Sequence, residues 1–195
     1  MSYTPPTKQS LREIILAARS QLAPEARALR SQQIAARVLA LDAFERAGTL
    51  AIYAPMGAEV DPSAIAAEAL TRGKRLAYPF LDDARPLRFA ACTPGVLVAG
   101  ALRCLVPPPQ AEPVAPAEID LVLVPGIAFD SAGRRLGRGR GHYDATLASL
   151  RPDALRVGLA FELQLVPEVP QETHDAPLDV VVSEARVLWR RAASG

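Results

Sequence analysis

The residues best suited to chemistry lie in one stretch rich in arginine and glycine, residues 125–144. Five of the chain's 12 glycines fall here, and residues 134 to 140 include four arginines and no acidic residue. Glycines let backbone N–H groups approach a ligand, and arginines bind phosphate or carboxylate oxygens through paired donors. A helix predicted to begin at Tyr143 or Asp144 adds the positive potential of its N-terminus. The stretch therefore predicts an anion cradle, with phosphate as its natural ligand.

Two known phosphate motifs do not describe this stretch. It has no Gly-Lys-Ser/Thr of a Walker A loop, and its glycines do not have the spacing of the dinucleotide-binding GxGxxG motif. On composition alone, the alternatives are a solvated basic loop or a loop that touches RNA. The stretch follows Ile119 to Val124, the most apolar β-like run of the chain. Since open α/β sheets bind ligands at the carboxyl ends of their strands, this position favours a ligand-binding role.

Helices that could position this stretch are predicted along the first half of the chain. Apolar residues recur at helical spacing from Thr7 to Leu22, with Ser10 and Glu13 as a candidate capping box. A second helix is predicted from residue 24 to 41, and an Ala-rich helix from residue 61 that stops at residue 73. Together they supply the helical layers that a central sheet needs.

The strands are short, apolar and separated by helical segments. They are predicted at residues 49–54, 76–80, 119–124, 156–161 and 180–183, with 186–189 as an edge partner. Residues 95–116 contain five prolines and are predicted to form a connecting loop. Apolar strands that alternate with helices predict an α/β fold with a mainly parallel sheet covered on both faces.

Size and composition bound the classes of function. A chain of 195 residues with 50% hydrophobic residues is the size of one domain, residues 1–195. A net charge of +1 and 5% aromatic residues argue against a general nucleic-acid binder. No apolar run reaches the roughly 20 residues that cross a bilayer, and no signal pattern opens the chain, so we expect a cytoplasmic protein without a membrane partner. We assign no chemistry to Cys92 and Cys104.

A series of motifs, in order along nearly the whole chain, resembles the 5-formyltetrahydrofolate cyclo-ligase (5,10-methenyltetrahydrofolate synthetase) family. The motifs are Lys8-x-x-x-Arg12, Tyr53-x-Pro55-x-x-x-Glu59-x-Asp61, Leu123-Val124-Pro125-Gly126-x-Ala128-Phe129-Asp130-x-x-Gly133-x-Arg135-Leu136-Gly137-x-Gly139-x-Gly141-x-Tyr143-Asp144, Phe161-Glu162-x-Gln164-Leu165-Val166, His174-Asp175 and Asp179. The long glycine-rich motif is the most specific of them.

This resemblance implies a fold and a reaction. The fold is a three-layer α/β/α domain with a mainly parallel sheet, of the type shared with sugar-phosphate isomerases and CoA transferases. The reaction is the cyclisation of 5-formyltetrahydrofolate to 5,10-methenyltetrahydrofolate, with ATP as co-substrate, Mg²⁺ as cofactor, and release of ADP and phosphate. The γ-phosphoryl group is thought to activate the formyl oxygen before N-10 attacks. Such chemistry needs aligned substrates and neutralised charge, and no protein nucleophile.

The resemblance also implies roles for individual residues. The residues implied to bind ATP are Lys8, Arg12, Arg135, Leu136, Gly137, Arg138, Gly139, Arg140, Gly141, His142 and Tyr143. Those implied to bind the folate are Ala54, Glu59, Arg138, Gly139, Arg140, Gly141 and His142. Arg138 and Arg140 are the candidates for holding the transferring phosphoryl group. Asp144 and Asp179 match the positions tied to Mg²⁺, which prefers carboxylate oxygens.

Several other interpretations remain open for these residues. Lys8 and Arg12 also suit the exposed face of an amphipathic helix, Asp144 suits a helix N-cap, and Asp179 suits a strand edge.

The sequence also departs from the family pattern in places. His142 stands where the family has an aromatic residue, and Cys104-Leu105-Val106-Pro107 lacks the family's acid. These departures bear on substrate fit more than on the type of reaction.

Two further functions compete with the cyclo-ligase. One is a non-catalytic nucleotide- or RNA-binding module that uses the same arginine-rich stretch, and the other is a sugar-phosphate isomerase. Carboxylates at Glu59, Asp144 and Asp179 argue against the binding module, because they repel a phosphate backbone. An isomerase would not need ATP.

Overall fold

The computed structural model describes residues 7–80, 86–100, 104–139, 141–172 and 175–190. The helices are α1 (Lys8–Ser20), α2 (Pro24–Leu39), α3 (Asp42–Arg46), α4 (Ser63–Thr71) and α5 (His142–Ser149). The strands are β1 (Thr49–Ala51), β2 (Arg75–Pro79), β3 (Phe89–Ala91), β4 (Val98–Ala99), β5 (Leu105–Val106), β6 (Pro113–Val114), β7 (Leu121–Val124), β8 (Ala128–Phe129), β9 (Arg135–Leu136), β10 (Leu155–Leu159), β11 (Val180–Val182) and β12 (Val187–Trp189).

Eight of these strands form one sheet, in the order β12-β11-β10-β7-β1-β2-β3-β6. The five inner strands, from β11 to β2, are parallel, whereas β12, β3 and β6 pair antiparallel at the two edges. The predicted mainly parallel sheet and its edge partner at residues 186–189 are therefore confirmed. The proline-rich segment 95–116, predicted as a connecting loop, contains three short strands, β4, β5 and β6. Pro113 lies in β6 at the edge of the large sheet, where a strand can do without one N–H.

Side chains alternate between the two faces of the sheet and build two separate layers of core. Leu50 and Leu121 belong to a buried cluster with Ile34 of α2 and Ile65 of α4. The next residues of the same strands, Ala51 and Val122, lie on the opposite face, where they pack in a second cluster with Leu147 of α5. Both faces of the sheet are thus covered, and the predicted three-layer α/β/α fold is confirmed.

Helix α1 lies outside these two core layers and packs against a hairpin formed by β8 and β9. Leu11 and Ile15 of α1 share a buried cluster with Ile127 and Leu136. The capping residue of α1 is Thr7, whose hydroxyl accepts the Ser10 N–H at 3.1 Å. The predicted capping box at Ser10 is wrong because Ser10 already lies inside the first turn.

The turn of the β8–β9 hairpin requires glycine at position 133. Gly133 has a φ of +77°, and a Cβ there would lie 2.3 Å from the Leu178 carbonyl oxygen. We expect Gly133→Ala to lower the free energy of unfolding by about 2–4 kcal/mol, because it combines backbone strain with a steric clash. Urea denaturation measures this loss. Gly95→Ala is the control, since no atom lies within 4 Å of its Cβ position. Equal effects of the two variants would contradict the prediction.

None of the helices in the described part of the chain combines the length and the hydropathy needed to span a membrane.

Candidate active site

A cleft of about 610 Å³ lies at the carboxyl edge of the inner parallel strands. Its floor includes Ala54 beyond β1, Pro79 at the end of β2, and Pro125 and Gly126 directly after β7. The predicted site residues that line the cleft are Lys8, Arg12, Ala54, Glu59, Arg135, Leu136, Gly137, Arg138, Gly139, Gly141, His142, Tyr143 and Asp144. The structure thus gathers residues from three distant parts of the chain into one cavity.

Two predicted site residues are not part of this cavity as described. Arg140 lies outside the described residues. Asp179 precedes β11 and lies at the amino edge of the sheet, where its carboxylate accepts the Arg156 N–H at 2.9 Å. It also lies 3.8 Å from the Arg156 guanidinium. The structure therefore separates Asp179 from Asp144, and Asp179 holds the strand-edge position that was the alternative for it.

Helix α1 presents two cations to the cleft. The Lys8 ammonium pairs with the carboxylates of Glu172 and Asp175, each at 3.0 Å. Arg12 donates from Nε to the Gly137 carbonyl at 3.0 Å. Partial burial opposes the charged form of Lys8, but its two carboxylate partners outweigh this and raise its pKa. Both side chains therefore belong to the cleft and not to a merely exposed helix face.

Arg135 supports the cleft from below. Its side chain is only 4% exposed and pairs with Asp144 at 2.8 Å. A Cβ on Gly137 would lie 2.6 Å from the Arg135 Nη1, so the backbone at this glycine passes close to the buried guanidinium. The guanidinium also lies 5.6 Å from the centre of the Tyr143 ring. Arg135 therefore fixes the glycine-rich backbone and the Asp144 carboxylate together.

The glycine-rich stretch leads directly into helix α5. Gly139 and Gly141 have φ values of +87° and +67°, in the left-handed region that favours glycine. Gly141 is the N-cap residue of α5, so the N-cap alternative for Asp144 is wrong. Asp144 lies instead in the first turn of α5, and the N-terminal end of that helix faces the cleft with His142.

Glu59 and Arg138 join the two sides of the cleft. Glu59 Oε1 accepts from Arg138 Nη2 at 2.9 Å and from Nε at 3.3 Å, while Oε2 accepts the Met56 N–H at 2.9 Å. The Glu59 side chain is 8% exposed, whereas that of Arg138 is 47% exposed. The carboxylate is therefore fixed by its own loop, and the guanidinium is the partner that can move.

Two tyrosines beside this pair stay protonated. Burial is the main cause that raises the pKa of Tyr53 and of Tyr143, and the charge of Glu59 adds to it for both. The Tyr53 hydroxyl donates to the Val60 carbonyl at 2.9 Å, which holds the loop that carries Glu59.

Two groups of residues that line the cleft or hold its backbone have no role predicted from the sequence. Glu172 and Asp175 line it and hold Lys8, although Asp175 was part of a matched motif. Gln164 is 1% exposed and donates to the carbonyls of Gly126 and Ile127 at 2.9 and 3.0 Å. Its presence in a matched motif was the signal, but nothing in the sequence showed which backbone it would hold.

A parallel α/β sheet with a cleft at its carboxyl edge, lined by arginines, glycine backbone and a helix N-terminus, defines a class of proteins that bind phosphorylated ligands. Within that class, the model of the 5-formyltetrahydrofolate cyclo-ligase family matches residues 5–184. The chain belongs to this family.

Relatives from several bacteria agree with this assignment. The chain is similar to the 5-formyltetrahydrofolate cyclo-ligase of Mycolicibacterium smegmatis, with 35% identity over 71% of this chain and 74% of the relative. The Escherichia coli K12 cyclo-ligase is 33% identical over 87% of this chain and 96% of its own length. The NMR structure of Aquifex aeolicus 5,10-methenyltetrahydrofolate synthetase is 32% identical, with a TM-score of 0.84 and coverage of 96% of this chain and 95% of that one.

Of the cleft carboxylates, that of Asp144 suits a Mg²⁺ ion that takes only one or two of its ligands from the protein. Among the described residues, no group of three or more His, Cys, Asp or Glu side chains could hold a metal ion. Mg²⁺ commonly needs only one or two protein carboxylates when substrate phosphates supply other ligands. Asp144 fits this role because its carboxylate is fixed at the cleft by Arg135.

Proposed function

We propose that this cleft binds ATP and 5-formyltetrahydrofolate together and catalyses their conversion to 5,10-methenyltetrahydrofolate, ADP and phosphate. The contact between Arg138 and Glu59 carries the proposal, because it brings an anion-binding side chain against a carboxylate suited to a pterin. Membership of the family supports the reaction itself. We further propose that residues 1–195 act as one catalytic domain.

The phosphates of ATP would lie along α1 and the glycine-rich stretch. Lys8 and Arg12 offer cations to them, and the backbone of Gly137, Gly139 and Gly141 offers N–H groups. At Lys8 the phosphates must compete with Glu172 and Asp175, which hold the ammonium in this structure. When the nucleotide binds, the Lys8 ammonium would therefore exchange the two carboxylates for phosphate oxygens.

The folate would lie on the other side of the cleft, against Ala54, Glu59 and His142. The pterin ring carries N–H groups, and a carboxylate accepts such donors through both of its oxygens. Glu59 is well placed for this because its own loop already fixes one oxygen at the Met56 N–H. The two substrates would then meet at Arg138.

The reaction follows from this arrangement without a protein nucleophile. The formyl oxygen attacks the γ-phosphorus of ATP, the bond to ADP breaks, and the formyl carbon becomes an imidate-like phosphate. N-10 then attacks that carbon, the former formyl oxygen leaves with the phosphate, and the N-10 proton passes to the released phosphate or to solvent. Arg138 and Arg140 would hold the transferring phosphoryl group and stabilise its charge, which is the main way in which proteins accelerate such transfers. The labile intermediate also needs protection from water, which a bound nucleotide and folate would provide by filling the cleft together.

Mg²⁺, when bound, neutralises part of the charge on the nucleotide phosphates. Asp144 is the residue of the cleft that would hold it, and Arg135 keeps the Asp144 carboxylate in place. Asp179 was the other proposed ligand, and its position at the amino edge of the sheet does not support a shared site with Asp144.

The direct test mixes the purified protein with MgATP and 5-formyltetrahydrofolate. The absorbance of the methenyl product should rise, and omission of ATP should abolish the rise. A sugar-phosphate isomerase or a passive RNA-binding module would form no methenyl product, so a flat trace in the complete mixture would refute the proposal.

We expect Asp144→Asn to raise the Mg²⁺ concentration needed for half-maximal activity by about tenfold, since it removes an anionic oxygen from the site. A magnesium titration of the initial rate measures the change. Asp153→Asn is the control, because Asp153 pairs with Arg151 and does not line the cleft. An unchanged magnesium titration for Asp144→Asn would leave the residue with only its structural bond to Arg135.

A further inference from the structure

Gln164 is a buried amide that holds two residues of the cleft. It ends a short 3₁₀ helix, Glu162–Gln164, that follows β10, and it is 1% exposed. Its Nε2 donates to the Gly126 carbonyl at 2.9 Å and to the Ile127 carbonyl at 3.0 Å. Its Oε1 accepts the Phe161 N–H at 2.9 Å. Both donor hydrogens and the acceptor oxygen of this amide are therefore used inside the protein.

The two carbonyls bound by Gln164 belong to the bend that joins β7 to β8. Gly126 and Ile127 both line the cleft. The Gly126 carbonyl also accepts from Arg19 Nη1 of α1 at 3.3 Å. A Cβ at Gly126 would lie 2.4 Å from the ring of Phe129, so the backbone of this bend is packed tightly against the core. The bend is thus held by one side chain that follows β10 and by another from α1.

This bend is bonded directly to the start of the glycine-rich backbone. The Ile127 N–H donates to the Leu136 carbonyl at 2.7 Å, at the open end of the β8–β9 hairpin. The next residue, Gly137, lines the cleft, and its carbonyl accepts from Arg12 Nε at 3.0 Å. A shift of the backbone at Ile127 would therefore move the point at which the glycine-rich backbone enters the cleft.

The loop that carries Glu59 is held by other bonds. Glu59 Oε2 accepts the Met56 N–H at 2.9 Å, and the Tyr53 hydroxyl donates to the Val60 carbonyl at 2.9 Å. The Nε2 bonds of Gln164 go instead to the bend before β8. Gln164 therefore supports the nucleotide side of the cleft, whereas the folate side has its own support.

We propose that Gln164 is a positioning residue for nucleotide binding, because its amide fixes the bend before β8 and thereby the glycine-rich backbone that receives the ATP phosphates. The inference rests on the proposed function, which places the phosphates along that backbone. Glutamine suits this position because its amide donates two hydrogen bonds without a charge. An ionised carboxylate has no hydrogen to donate, and an ammonium would have to be buried as a charge.

Two variants grade the loss of the donors of Gln164. Gln164→Met removes both donors and the acceptor, whereas Gln164→Glu keeps an acceptor for the Phe161 N–H and can donate to at most one carbonyl. We expect the dissociation constant for MgATP, measured by calorimetry without folate, to rise about tenfold in Gln164→Met and about threefold in Gln164→Glu. The dissociation constant for 5-formyltetrahydrofolate, measured without ATP, should stay within about twofold in both variants.

Hydrogen exchange provides a second measurement that needs no ligand. In Gln164→Met, the amides of residues 126–137 should exchange faster than in the wild type, because the bend before β8 has lost two of its hydrogen bonds. The amides of residues 53–60 should exchange at the wild-type rate, because other bonds hold that loop.

Ser183→Ala is the matched control for these variants. Ser183 is fully buried, and its hydroxyl donates to the Glu162 carboxylate of the same 3₁₀ helix at 2.6 Å. The residue does not line the cleft. We expect Ser183→Ala to lower the melting temperature, since it removes a buried hydrogen bond, and to leave both dissociation constants and the exchange of residues 126–137 unchanged.

Three outcomes would overturn the proposal. They are a dissociation constant for MgATP within twofold of the wild type in Gln164→Met, equal weakening of MgATP and folate binding in that variant, and loss of the folded state in both Gln164 variants by thermal denaturation. A wild-type protein that forms no methenyl product would instead refute the proposed function. The two failures are distinguishable, because nucleotide binding and hydrogen exchange are measured without the reaction.

Discussion

Replacement of Arg138 by alanine is expected to lower kcat by about 10²–10³-fold, the usual loss when a group that stabilises transition-state charge is removed. The side chain is 47% exposed, so its loss creates no cavity in the core. Its guanidinium binds the Glu59 carboxylate at the cleft, which the glycine-rich backbone also lines. Initial rates of methenyl product formation at saturating substrates measure the effect.

Arg134→Ala provides the matched control for this prediction. Arg134 belongs to the same arginine-rich stretch, but it pairs with Glu168 at 2.7 Å and does not line the cleft. We expect kcat for Arg134→Ala to stay within about threefold of the wild type. If Arg138→Ala and Arg134→Ala lowered kcat equally, Arg138 would have no special place in the mechanism. Arg138→Lys should recover part of the rate, since it restores a charge but not the paired donors.

The different roles of these arginines could not be predicted from the sequence. Arg134, Arg135 and Arg138 stand within five residues of one another and belong to the same chemical type. In the folded chain, Arg134 pairs with Glu168 and Arg135 is buried against Asp144. Arg138 lies in the cleft. The orientations of these three side chains depend on the β8–β9 hairpin. Each of its strands is two residues long, which is too short to give a periodic sequence pattern.

The parallel sheet was predictable because its strands are continuously apolar. Residues 121–124 are buried at every position, as expected for a central strand covered on both faces. The same logic predicts the position of Asp179 in the sheet. A residue that immediately precedes a parallel strand lies at the amino edge of the sheet, whereas Pro125 and Gly126 follow β7 and lie at the carboxyl edge.

The Glu59–Arg138 contact shows a second limit of sequence reasoning. The two residues are 79 positions apart, and the resemblance assigns Glu59 to the folate and Arg138 to both ATP and the folate. Only the folded chain shows that they bind each other before any substrate is present. A ligand that draws Arg138 away would therefore leave Glu59 with one hydrogen-bond partner fewer, and no local sequence pattern encodes that dependence.

Glu59→Gln is expected to weaken binding of 5-formyltetrahydrofolate by about 10²-fold, because hydrogen bonds to a charged acceptor contribute about 1.5–3 kcal/mol each. Binding of MgATP should be unchanged or slightly stronger, since the variant releases Arg138 from its carboxylate partner. Calorimetric titrations with each ligand alone measure the two effects. Glu68→Gln is the control, as Glu68 pairs with Arg72 on α4 and does not line the cleft. Equal loss of both ligands in Glu59→Gln would mean that the loop had lost its structure, because only a disordered loop removes folate and nucleotide contacts together.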